Sequence, residues 1–136
     1  MTNPSVIVLT GFVAWALALL ILMELLRGYL VFFKGVAANQ FTPDNANLSP
    51  FMQRLARAHL NCVEGLPIFG GLLLLAMFTG QTAITDPLAY VFLAARLLQS
   101  CIHLASANVP AVFCRFAAFA VQLAIAAYWA VRLLGM

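Results

Sequence analysis

From Val6 to Phe33 the chain is an almost unbroken apolar run whose only charges are Glu24 and Arg27. A helix needs about 20 mostly apolar residues to cross a bilayer, and this run exceeds that. Three further stretches meet the same requirement, approximately Arg57 to Thr79, Pro87 to Leu104 and Ala111 to Leu134. The composition agrees: 65% of residues are hydrophobic, only 8% are charged and the mean hydropathy is +1.01, far outside the soluble globular range. The expectation is an all-α integral membrane protein, a four-helix bundle forming one domain over residues 1–136, spanning at about 6–33, 57–79, 87–104 and 111–134.

The segments between the spans set topology. Met1 to Ser5 has no Lys or Arg, and no small-residue cleavage site follows the first apolar run, so that run is expected to be retained rather than removed as a signal peptide. Lys34 to Pro50 is the one long polar connection, with Ser49-Pro50 as a helix start. Thr79 to Pro87 is a second connection, ending in an Asp86-Pro87 helix cap, and Ser106 to Pro110 a tight third. Lys34, Arg54 and Arg57 flank the first loop and Arg115 follows the third, whereas the N-terminal tail and the second loop have no basic residue. The positive-inside rule then places both termini on the non-cytoplasmic side. Topology accounts for the net charge of +3, and nucleic acid is not an expected partner. Tyr29, Phe32 and Phe33 at one end, and Tyr128 and Trp129 at the other, read as interfacial belt residues. Cys62, Cys101 and Cys114 show neither disulfide nor zinc spacing, and no metal site is expected.

Polar residues inside the spans carry the functional signal, because ionisable groups in a membrane are costly and face a protein interior or a wet cavity. Arg57, Asn61 and Glu64 share one helix face, Arg96, Gln99 and His103 another, and Arg115 and Gln122 stand seven residues apart in the fourth span. With the second and third helices antiparallel, Arg57 is expected level with His103, Asn61 with Gln99, and Glu64 with Arg96. Each stripe is then about 10 Å long at 1.5 Å per residue. Glu64 and Arg96 form the expected structural ion pair. Arg57 and Arg115, with His103 nearby, leave a surplus of positive charge at the cytoplasmic mouth, which suits an anion. Glu24 and Arg27 can pair at i, i+3 or face a neighbouring subunit. Arg57 and Arg115 have simple interfacial roles as the alternative reading, and Asn61, Gln99 and Gln122 interhelical hydrogen bonding. Gly65, Gly70 and Gly71, with the alanines of the fourth span, predict close helix packing.

Arg57-Ala-His-Leu-Asn-Cys-Val-Glu64, followed by Pro67 and Phe69, resembles the R-A-H-x-N-D-x-E signature of the membrane-associated proteins in eicosanoid and glutathione metabolism, the MAPEG superfamily. Arg96 to His103 looks like that family's third-helix element, and Pro110 with Arg115 like its fourth-helix start. The resemblance implies a homotrimer, in a bacterial source a protein of the inner membrane, with glutathione held as co-substrate between subunits near the cytoplasmic side. It assigns Arg57, Asn61 and Glu64 to glutathione, with Gln99 and His103 at family contact positions, and Arg115 to the sulfur as the catalytic residue. Cys62 stands where the family has Asp, Gln99 where it has His, His103 where Tyr is common, and Phe119 where synthase-like members have Tyr.

The implied activity is a membrane-bound glutathione-dependent transferase or peroxidase acting on lipophilic electrophiles that enter from membrane lipid. The lost polar groups leave open a non-catalytic binding protein of the same fold. A transporter or channel subunit fits less well, for lack of broken Gly/Pro helices at mid-membrane.

Overall fold

The computed structural model describes residues 3–136. Four helices follow in order: α1 Pro4–Lys34, α2 Pro50–Phe78, α3 Thr82–Ala105 and α4 Val109–Leu134. All four are long and apolar enough to cross a membrane, so the chain is an integral multi-pass membrane protein. Local sequence sets the helix starts. The Asn3, Ser49 and Asn108 side chains each accept a backbone N–H from the first turn, and a proline follows within the first two positions, where its missing N–H costs nothing. Gly35 ends α1 in the left-handed region at φ 72°, a conformation that glycine adopts freely.

Helix α3 departs from the expected boundary. It begins at Thr82, so Pro87 lies inside it, and Asp86 is not its cap. The Asp86 Oδ1 instead accepts from the Ser5 N at 3.1 Å and the Ser5 Oγ at 2.6 Å, while the Ser5 hydroxyl also meets Thr85 Oγ1. The carboxylate is engaged by the start of α1, and the missing Pro87 N–H is tolerable where neighbouring helices re-satisfy the backbone.

Helix α3 is central. It shares its broadest interface with α4, and α1 lies along α2 and α3. Helices α2 and α4 approach one another only sparsely, and α1 and α4 make no close approach among the described residues. An aromatic cluster fills the middle. Phe92 stacks on Phe12 at 6.0 Å, meets Phe69 edge-on at 4.9 Å and packs on Trp129 at 5.4 Å. Trp129 is therefore a core residue with no exposed surface, not the interfacial residue its position predicts, whereas Phe32 and Phe33 are largely exposed.

The α1–α2 loop is latched to α1. Arg27 donates from Nη2 (2.6 Å) and Nε (3.1 Å) to the Asn45 Oδ1, and Asn45 Nδ2 donates to the Met52 carbonyl at 2.7 Å. Asn45 is fully buried with φ 54°, a left-handed conformation that asparagine tolerates. The i, i+3 alternative for Glu24 and Arg27 is realised, at 3.2 Å. Because Asn45→Ala strands the Arg27 and Met52 groups together, it should cost about 2–3 kcal/mol, readable as a lower melting temperature in detergent.

Candidate functional site

Sparse contact between α2 and α4 leaves a cavity of about 840 Å³ along the side of the bundle. Small residues create the space. Gly65 and Gly71 of α2 and Ala126, Ala127 and Ala130 of α4 line it, and no neighbour lies within 4 Å of where a Gly71 Cβ would stand. The close packing expected of these residues, within or between subunits, does not join α2 to α4 within the chain. A Cβ at Gly70 would meet Leu9 at 3.2 Å and Leu66 at 3.3 Å, and one at Gly65 would meet Phe69 at 2.9 Å, so both pack closely.

The groove is polar at one end only. Asn61 and Glu64 from α2, Gln99 from α3 and Arg115 from α4 line the end nearest the α1–α2 and α3–α4 loops, and beyond them Ile68, Phe69, Leu72, Leu75, Phe119 and Leu123 form an apolar wall. Four residues expected at the site, from three helices, therefore share one surface. Glu64 is exposed and Arg115 half-buried, and neither forms an ion pair among the described residues. Opposite charges held apart across one mouth suit a zwitterionic ligand, with the guanidinium meeting a carboxylate or thiolate and the carboxylate an ammonium.

The other expected residues lie around this mouth. Buried His103 stands behind Asn61, its Nδ1 3.4 Å from Asn61 Nδ2, where it orients Asn61 and does not line the groove. Gln99 accepts from Gln122 Nε2 at 2.8 Å, so the interhelical reading of this pair holds and fixes the Gln99 side chain on the groove wall. Arg57 is exposed outside the groove lining, close enough to Asp44 to attract it weakly. The Thr42 hydroxyl and then the Ala46 amide hold the Asp44 carboxyl below its ordinary value. Arg54, unassigned by sequence, donates from Nε to the Leu104 carbonyl at 3.0 Å and so caps the end of α3.

The ion pair expected between Glu64 and Arg96 does not form. Among the described residues Arg27 with Glu24 is the sole ion pair. The cause is register. Asn61 meets His103 rather than Gln99, and Cys62 lies 3.6 Å from the Ser100 hydroxyl, a displacement of two to four residues from the expected alignment. Gly65 then faces Arg96, and Glu64, one position round the helix, turns to the groove. Arg96 is fully buried among Phe12, Phe69 and Phe119, its Cζ 5.2, 5.7 and 5.9 Å from their ring centres. Sequence reading missed this cage, because three phenylalanines on three different helices give no local pattern.

Comparison with known proteins agrees with this architecture. The model of the MAPEG family matches residues 8–135. No curated protein and no solved structure gives a match. With nearly the whole length covered, the chain belongs to the MAPEG family.

Proposed function

We propose that this protein is a membrane-bound glutathione-dependent transferase or peroxidase acting on lipophilic electrophiles. The observation that carries the reading is the one-ended groove, with Asn61, Glu64, Gln99 and Arg115 at its mouth and an apolar wall beyond. Glutathione carries two carboxylates, an ammonium and a thiol, and the mouth offers a partner for each. Arg115 faces the sulfur, Glu64 and Asn61 receive the ammonium, and Gln99 contributes a polar wall. Arg57 at the rim attracts the carboxylates. A lipophilic electrophile enters along the Leu72 and Leu75 side, and thiolate attack forms the carbon–sulfur bond as the leaving group departs with its electron pair. With a hydroperoxide the sulfur takes the terminal oxygen and an alcohol leaves, and a second glutathione then releases water and the disulfide.

A homotrimer with the site between subunits, cytoplasmic mouths and non-cytoplasmic termini belongs to the same reading. Exposed Arg57 and Glu64 in membrane-spanning helices support it, since lipid around a charge costs about 2.5–3.5 kcal/mol on insertion scales and a neighbouring subunit would cover them. Lys34, Arg54, Arg57 and Arg115 lie at or near the helix ends that meet the α1–α2 and α3–α4 loops, and that clustering supports the orientation.

Equilibrium dialysis of glutathione against the purified protein tests the binding step. Saturable binding, weakened about tenfold or more in Glu64→Gln, is the expected result, and no binding at all would remove the proposal. Turnover with a lipophilic electrophile separates the enzyme from a non-catalytic binding protein.

A further inference from the structure

Arg96 has no exposed surface, and its Nε, Nη1 and Nη2 all lack a hydrogen-bond partner. Ring faces attract a cation but accept none of the five N–H donors in the usual sense, and arginine does not shed its proton. A buried charge in this state calls for an anion. The Cys62 side chain lies beside the guanidinium, its sulfur also 3.6 Å from the Ser100 hydroxyl.

On α2, Gly65 and the Phe69 ring stand between Arg96 and the groove. Gly65 is itself part of the groove lining. A Cβ there would stand 3.3 Å from the Arg96 Nη2 and 2.9 Å from Phe69 Cε2, so the bare Gly65 backbone lies against the guanidinium, with the Phe69 ring as the cover over it. On α4, Phe119, whose ring touches the same guanidinium, lies four residues beyond Arg115, about 6 Å along the helix. Arg96 therefore lies directly behind the groove wall, roughly one turn deeper than Arg115.

We propose that Arg96 is a second anion-binding residue of the groove, reached over Gly65, and that it takes a compact monovalent anionic group. The group comes from a free halide or from the charged sulfur or oxygen of a bound organic ligand. Only the second source rests on the glutathione reading. Arg115 meets ligands at the mouth, and Arg96 serves the dry inner part, where water cannot compete for the charge.

The test is thermal unfolding of the full-length protein in detergent and chloride-free buffer, with chloride or thiocyanate added in one arm and glutathione in the other. The wild type should rise by about 3 °C or more at saturation in at least one arm. Arg96→Met should lose that rise while melting no lower than wild type without ligand, because it removes an unanswered buried charge. Gly65→Ala, a change that favours the helix but obliges the Phe69 ring 2.9 Å from the new Cβ to shift, should weaken the response about fivefold or more.

A response to halide alone assigns a free anion, and a response to glutathione alone assigns the ligand's charge. Arg96→Met that melts lower with an unchanged response would make the rings its true partners and overturn the proposal, as would an unchanged response in Gly65→Ala. No response in wild type in either arm, with a thiolate band lost in Cys62→Ser, would make Cys62 the counter-ion and equally overturn it. A halide response that depends on Arg96 without any glutathione response would leave this proposal standing and defeat the glutathione reading instead.

Discussion

Arg115→Ala is expected to lower kcat/KM for glutathione transfer by about 10²-fold or more, with the loss greatest below neutral pH. A thiol with pKa near 8.5 is about 3% ionised at pH 7, and a cation that lowers the value by two units raises that to about three-quarters. Ionisation alone thus accounts for roughly a 25-fold change, and the remainder is charge stabilisation in a water-poor groove. The sign of the pH dependence follows. Wild-type activity should level off near neutral pH, whereas Arg115→Ala should climb with pH towards the free thiol's range. Arg115→Lys should recover part of the loss, since an ammonium supplies charge but not the planar fork. Steady-state rates across pH for the three proteins check this, and a flat, wild-type-like profile in Arg115→Ala would remove Arg115 from the chemistry.

Trp129→Ala should be the most destabilising single change in the core. Trp129 is fully buried and packs on Phe92, the hub that also holds Phe12 and Phe69. In a membrane the alternative environment for an apolar side chain is lipid, so the transfer part of a large-to-small penalty largely vanishes and the packing part remains. At about 24 cal/mol per Å³, a void on the order of 100 Å³ costs about 2–3 kcal/mol. Because Ala126, one turn before Trp129 on α4, lines the groove, loosening α4 on α3 should also weaken ligand binding. Unfolding in graded denaturing detergent reads the first effect and glutathione dialysis the second; a Trp129→Ala protein as stable as wild type would show that the cluster does not hold α4.

Element existence was legible in this chain, because hydropathy over about 20 residues is a local property and a bilayer admits few alternatives. The Ser49-Pro50 start of α2 was legible for the same reason, as cap chemistry lies within four residues. Asp86-Pro87 misled because its carboxylate answers to Ser5, about eighty positions away in sequence. Periodicity put Asn61 and Glu64 on one face, and the groove holds both. It did not fix the α2–α3 register, and an error of two to four residues exchanged the partners of Asn61 and left Arg96 without the carboxylate expected for it. Trp129 was misplaced because a Trp near a helix end belongs equally to the interface and the core until its neighbours are known. The groove itself came from small residues whose sequence signal is the same whether they admit a helix or leave a space.

The central claim is that the groove holds glutathione as a thiolate beside Arg115, and the ultraviolet thiolate band tests it most directly. On mixing the purified protein with glutathione near pH 7, a band growing in proportion to bound ligand in wild type, and absent in Arg115→Ala that still binds, is the predicted result. Binding without the band in wild type, or a band undiminished in Arg115→Ala, would contradict it.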